Sequence, residues 1–176
     1  MSLRHAILGL LAGQPMSGYE LKRAIDESVG HFWTADQSQI YRTLSGLVDD
    51  GLAARRTVVQ EDRPNLHLHS VTASGLAELD RWLASGLQAT PTREPFLARL
   101  FFAERLPLDE VRKLLDARRQ ETSELLTALE AVAMPEPSGS LGHALRSATL
   151  ANGITHARAE LEWLDAVERQ LDQVGQ

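Results

Sequence analysis

Asp36-Gln37-Ser38-Gln39-Ile40-Tyr41-Arg42-Thr43-Leu44-Ser45-Gly46-Leu47-Val48-Asp49-Asp50-Gly51 is the stretch on which the reading of the fold turns. Asp36 and Gln39 stand three apart, so each side chain can satisfy an otherwise unpaired backbone amide of the other and start a helix. Ile40, Leu44, Leu47 and Val48 then recur at helical spacing, and Gly51 stands where a helix-terminating left-handed residue belongs. Rotating away from the apolar stripe leaves Ser38, Arg42, Ser45 and Asp49 on the far face, with Gln39 and Thr43 along one edge and Tyr41 along the other. Gln, Arg, Ser and Thr are residue types that reach base edges or grip phosphates, and here they occupy the N-terminal part of the helix.

Upstream, Leu3, Ile7, Leu10 and Leu11 mark a first helix that Gly13-Gln14-Pro15 ends. Ser17 and Glu20 form a second box, opening a helix that carries Leu21, Ala24, Ile25 and Val29 inward and that Gly30 stops. Downstream, Leu52 to Val59 and Leu66 to Val71 are apolar and β-branched runs around the polar turn Glu61 to Asn65, which predicts a hairpin. Thr72 caps a fourth helix with Leu76, Leu79, Trp82 and Leu83 on one face, running to about Leu87. Helix, helix, turn, helix and hairpin in this order predict a winged helix-turn-helix, with the third helix in a major groove and the hairpin as its wing. The fold class is therefore mainly α: an N-terminal winged helix-turn-helix domain over residues 1–88, of three helices plus a β-hairpin wing, and a C-terminal α-helical domain over 92–176.

Gln88-Ala89-Thr90-Pro91-Thr92 is the expected boundary, since it lacks large apolar groups and contains proline. Beyond it Pro95 to Glu104 carries Phe96, Leu97, Leu100, Phe101 and Phe102. Pro107, at a first helical position, opens a long helix whose stripe Val111, Leu115, Leu125, Leu129 and Val132 is interrupted by Arg118 and Thr122. Pro135-Glu136-Pro137-Ser138-Gly139 breaks it, and Leu150, Ile154, Ala157, Leu161, Leu164 and Leu171 stripe a last helix from about Ser140 to Gln173. Two long amphipathic helices in a hairpin need a partner surface, so self-association is expected. The expected dimerisation residues are Phe96, Leu100, Phe101, Val111, Leu115, Leu125, Leu150, Ile154, Leu161 and Leu164.

The 176 residues, 43% hydrophobic and 24% charged, suffice for a proper core. The absence of cysteine excludes disulfides and thiolate metal sites and fits a reducing, cytoplasmic location. The basic start and short apolar run at the N-terminus are cut off by Gly13-Gln14-Pro15 and read as a core helix, not a leader; no apolar run is long enough to span a membrane. A net charge of −6 excludes a non-specific nucleic-acid coat, though not a regulator with positive charge on one face. With 5% aromatic residues, single-strand recognition by stacking is not expected.

Ile7-Leu8-Gly9-Leu10-Leu11, Met16-Ser17-Gly18-Tyr19-Glu20-Leu21, Gln39-Ile40-Tyr41-Arg42-Thr43-Leu44, Asp50-Gly51-Leu52, Arg63-Pro64 and Val71-Thr72-Ala73-Ser74-Gly75 follow one another in the order and at the spacings of the PadR family of bacterial transcriptional regulators. The chain resembles that family over most of residues 3–83. Its second half resembles, by pattern more than by motif, the long dimerisation region of the subfamily related to virulence activators. The resemblance implies a homodimer on an inverted-repeat, double-stranded DNA operator, acting as a repressor that a small-molecule effector releases. It implies phosphate contacts from Ser17, Tyr19 and Lys22, groove positions for Gln39, Tyr41 and Thr43, and a wing-tip cation at Arg63. Ser38 and Arg42 join them from the helix face, and His67 from the wing. Arg42 replaces a proline common in the family, and Asp62, Leu66 and His67 stand where glycine and basic residues are common. His69 stands where an aromatic is common, so a weaker or more pH-dependent wing is expected.

His67 and His69 alternate on one strand in the manner of a metal pair, but no carboxylate or thiolate completes a set, and neither metal nor cofactor is expected. Phe32-Trp33, Phe96, Phe101 and Phe102 are read as core, with an effector pocket as the alternative. No phosphate loop, nucleophile elbow or His-Glu-x-x-His helix is present, so an enzyme is not expected. An acidic winged helix with a thin wing leaves a second reading open, a protein-interaction module without DNA binding.

Overall fold

The computed structural model describes residues 3–28, 35–59, 65–86, 93–132 and 139–174. Val29, Gly30, Phe32, Trp33, the wing turn with Asp62, Arg63 and Pro64, the 88–92 connector and the prolines at 135 and 137 lie outside them. Two compact units divide the chain, Met1–Ala89 and Thr90–Gln176.

In the first unit, α1 (Leu3–Gly13) leads into a two-residue strand β1 (Met16–Ser17), then α2 (Gly18–Ser28) and α3 (Gln37–Asp49). The hairpin is β2 (Ala53–Val58) and β3 (Leu66–Val71), followed by α4 (Ala73–Leu83). β3 is central in an antiparallel sheet of order β1-β3-β2, with Ala53 opposite Val71 and Met16 opposite His69. The mostly helical architecture with a small antiparallel sheet is the winged-helix class read from the sequence. Ile7, Leu8 and Leu11 of α1, Leu21 and Ile25 of α2, and Ile40, Leu44 and Leu47 of α3 form one buried cluster. Burying each of these side chains contributes roughly 1.5–3 kcal/mol against the entropy of ordering the chain.

The joints are local and readable. Asp36 accepts the Gln39 amide at 2.7 Å while Gln39 Oε1 accepts the Asp36 amide at 3.2 Å, completing the box at the start of α3. Gly51 takes the left-handed conformation at φ 70°, and its carbonyl accepts the Thr72 hydroxyl at 2.8 Å. Thr72 in turn caps α4 through the Gly75 amide. A Cβ at Gly75 would sit 2.1 Å from the Leu52 carbonyl oxygen, so this close approach needs glycine. Contrary to expectation, α4 ends at Leu83, where Ala84 caps it and the Ser85 hydroxyl bonds the Trp82 carbonyl. Leu76 and Leu83 are exposed instead of inward.

In the second unit α5 (Pro95–Phe101) and a 3-10 turn (Ala103–Arg105) precede α6 (Leu108–Glu130) and α7 (Leu141–Val174). Pro107 is the cap residue preceding α6, not its first helical residue. Phe96, Leu115 and Leu164 form the core, with Leu100, Leu114, Val167 and Leu171 against it. The two polar interruptions of the α6 stripe prove to be contacts: Arg118 Nε and the Thr122 hydroxyl both donate to Glu160, at 2.8 and 3.1 Å, and Thr122 is 2% exposed. Arg112–Asp172, Arg119–Asp165, Arg119–Glu168 and Arg158–Glu130 lace the same two helices.

Candidate nucleic-acid interface

Three elements of the first unit carry the residues singled out in the sequence. At the start of α2 the Ser17 hydroxyl accepts the Glu20 amide at 3.2 Å and donates to the Glu20 carboxylate at 2.8 Å, which also accepts the Ser17 amide at 2.7 Å. Hydrogen bonds from the Ser17 backbone and hydroxyl, with the nearby Arg23 charge, hold the Glu20 carboxyl below the usual carboxylate range. Ser17 is therefore buried inside the box, while the neighbouring Tyr19 is exposed. The Lys22 ammonium is held by the Asp26 carboxylate one turn on.

On α3, Ser38, Gln39, Tyr41 and Arg42 are exposed and Thr43 is half-buried. Several of them are already engaged: Ser38 donates to Asp36 at 2.7 Å, Gln39 closes the capping box, and the Thr43 hydroxyl bonds the Gln39 carbonyl at 2.8 Å. Arg42 makes one long contact, Nε to the Ser38 carbonyl at 3.4 Å, leaving most of its guanidinium to solvent. The Tyr41 ring lies against Gly18, where an added Cβ would stand 2.5 Å from Tyr41 Cε1. Gly18 thus lets α3 bring Tyr41 to the start of α2, against the residue that precedes Tyr19 in the chain. The two motifs, twenty residues apart in sequence, become one surface.

On the wing His67 is exposed, its Nδ1 3.1 Å from the Thr57 hydroxyl across the hairpin. His69 shares its face but is buried, and no group of three metal-binding residues gathers among the described residues. Burial holds the His69 imidazole below its ordinary 6.5, the positive charge of Arg55 and the neighbouring His67 push the same way, and a hydrogen bond to the Met16 backbone opposes. Arg63 lies outside the described residues. The sequence reading missed Arg55 and Arg56, both exposed on β2; the only signal was two adjacent arginines in a strand.

Of the residues read as dimerising, Phe96, Val111, Leu115 and Leu164 are buried within the single chain and hold its helices together. Leu100, Leu150, Ile154 and Leu161 are half-buried. Phe101, at 80% exposed, and Leu125 remain on the surface, with Leu97, Phe102, Leu106, Leu141 and Leu145, which the sequence reading had not singled out for this role. Phe102, Leu106 and Leu114 line an open groove of about 820 Å³ together with Arg99, Arg105 and Lys113. Among the described residues no helix is long and apolar enough to cross a membrane.

Residues 7–81 match the model of the transcriptional regulator PadR-like family, and residues 92–172 that of the virulence activator alpha C-terminal region. The chain is 34% identical to a probable transcriptional regulator of Mycobacterium tuberculosis, over 98% of this chain and 99% of that protein. It is 31% identical to the negative transcriptional regulator PadR of Bacillus subtilis, over 97% of each. The crystal structure of Bacillus subtilis PadR in complex with operator DNA matches at a TM-score of 0.81 and 28% identity, covering 96% of this chain and 98% of that one. The same protein in complex with p-coumaric acid matches at 0.74 and 27% identity, over 97% and 98%.

Proposed function

Since the chain belongs to the PadR-like family of transcriptional regulators and is a DNA-binding regulator of transcription, we propose that it acts in the cytoplasm as a homodimeric repressor of an inverted-repeat operator, released by a small-molecule effector. The observation that carries this reading is the surface that α2 and α3 share. Tyr19, Tyr41 and Arg42 leave polar or cationic groups free there, at the N-terminal end of the helix that enters the groove. Tyr19 and Lys22 contact phosphates, Lys22 after release from Asp26, and Arg42 with Gln39 reads base edges. Ser17 acts indirectly, by fixing the start of α2. Repression and effector release are supported by the Bacillus subtilis relative, a negative regulator by name whose structure is known with operator DNA and with p-coumaric acid.

Residues 92–176 form the dimerisation domain in this reading. Phe101, Phe102, Leu125, Leu141 and Leu145 are large apolar side chains that a single chain leaves in water, and a second copy covers them. Dimerisation sets two copies of α3 about one DNA turn apart, roughly 34 Å. An effector releases DNA by favouring a dimer in which that spacing is wrong, which requires different affinities for the two geometries. Fluorescence titration of the full chain against duplex from upstream of its own gene, with scrambled duplex as control, tests the reading. One dimer per site with preference for the native sequence supports it; a Gln39→Ala/Arg42→Ala variant that binds both duplexes as the parent does contradicts the assignment of α3.

A further inference from the structure

Residues 1–89 contain eight Lys and Arg residues against ten Asp and Glu, so their attraction for a polyanion rests on cations that the unit's own carboxylates do not neutralise. Most of the described cations are neutralised. Arg4 pairs with Asp50, Lys22 with Asp26, Arg23 with Glu27 and Arg81 with Glu78. Among the described residues of this unit, three cations form no direct ion pair with a carboxylate: Arg42 on α3, whose charge still acts on the Asp36 carboxylate, and Arg55 and Arg56 side by side on β2. β2 is the outer strand of the sheet, and both arginines are exposed. Their cross-strand neighbours on β3 are His69 and Leu68, and the next pair outward is Thr57 with His67, so β3 brings no fixed charge to the hairpin.

We propose that the wing grips DNA through β2: Arg55 and Arg56 supply phosphate contacts, and of the two described strands of this hairpin the outer one carries the fixed positive charge. An edge strand places both faces near solvent, so long side chains that alternate in direction can each reach around the edge toward a backbone lying along it. Fixed, unpaired guanidiniums need no ion pair broken before they bind phosphate, unlike Lys22. The same two charges could instead only guard an open sheet edge against pairing with another strand. The two roles differ in how binding responds to salt.

This inference rests on the DNA-binding reading, and phosphate contacts are independent of sequence, so both native and scrambled duplex report on it. Each phosphate neutralised adds about 0.9 to the slope of log affinity against log salt. Carried by both protomers, Arg55→Gln or Arg56→Gln is expected to lower that slope by roughly 1.8 and the double variant by roughly 3.6. Affinity for the two duplexes should fall by the same factor. Arg81→Gln, on α4 and paired with Glu78, is the matched control and should leave the slope unchanged; thermal melting verifies that each variant folds. A double variant with the parent slope overturns the inference and leaves edge protection as the role of both arginines. A loss confined to the native duplex also overturns it, because that is base reading. A parent protein that binds neither duplex refutes the DNA-binding reading itself, whereas a parent that binds while the double variant keeps its slope refutes only the role of β2.

Discussion

Gly18→Ala tests whether the start of α2 and the recognition helix are joined in the way the Tyr41 contact indicates. Gly18 is helical, with no left-handed backbone to forbid a side chain. On backbone grounds alone, alanine should therefore stabilise the protein by about 0.4–1 kcal/mol through the unfolded chain. The new Cβ, however, would meet Tyr41 Cε1 at 2.5 Å and Cζ at 2.7 Å, about an ångström inside ordinary contact. Overpacking of this kind costs roughly 1–3 kcal/mol, toward the lower end here because Tyr41 is 46% exposed and has room to swing out. The expected net effect is a loss of under about 1 kcal/mol, with Tyr41 displaced and operator affinity reduced. In a Tyr41→Ala background the obstacle is gone, and the same substitution should change sign to a gain of about 0.4–1 kcal/mol. Urea unfolding of the four proteins at one fixed protein concentration measures the cycle. An equal effect of Gly18→Ala in both backgrounds would refute the claim that Gly18 exists to admit the Tyr41 ring.

Other substitutions probe the remaining joints. Glu160→Leu leaves the Thr122 hydroxyl and the Arg118 guanidinium without their shared acceptor on α7, and urea unfolding should show a loss of about 1–3 kcal/mol, with Glu160→Gln costing less. Gly51→Ala forces a side chain into the left-handed turn after α3 at φ 70°, and thermal or urea unfolding should show a loss of roughly 1–2 kcal/mol. His69 is buried with its Nδ1 unpartnered among the described residues, and its imidazole is held below 6.5, so the unfolded chain takes up the proton first. Its contribution to stability is complete above 6.5 and is lost as pH falls from there toward the folded-state value; His69→Phe should flatten that part of a stability-versus-pH curve, measured by urea unfolding.

The parts of the fold that the sequence disclosed are those encoded within one turn of chain. Asp36 with Gln39, Ser17 with Glu20, and Thr72 with Gly75 are contacts between residues three apart, so spacing alone identifies them. β1 was invisible because two residues carry no periodicity, and Met16–Ser17 is a strand only by pairing with β3. Arg118 and Thr122 read as breaks in an apolar stripe because Glu160, which makes them part of the interface between helices, comes some forty residues later. Leu76 and Leu83 read as inward because periodicity gives the direction of a face but not how far the neighbouring element extends over it. For the same reason an apolar pattern did not distinguish Phe96 and Leu115, consumed inside one chain, from Phe101, left outside it. At the site, residue types on α3 were legible, whereas the ion pairs that occupy Lys22 and leave Arg55 and Arg56 free depend on which rotamers meet across a turn or a sheet.

Selection of duplexes from a randomised pool by the full-length protein tests the central claim without presupposing where the operator lies. The account predicts enrichment of an inverted repeat whose half-site centres stand about one helical turn apart, bound by two chains, with enrichment lost in the Gln39→Ala/Arg42→Ala variant. A pool that remains random after successive rounds, or enrichment that the variant reproduces, would contradict it.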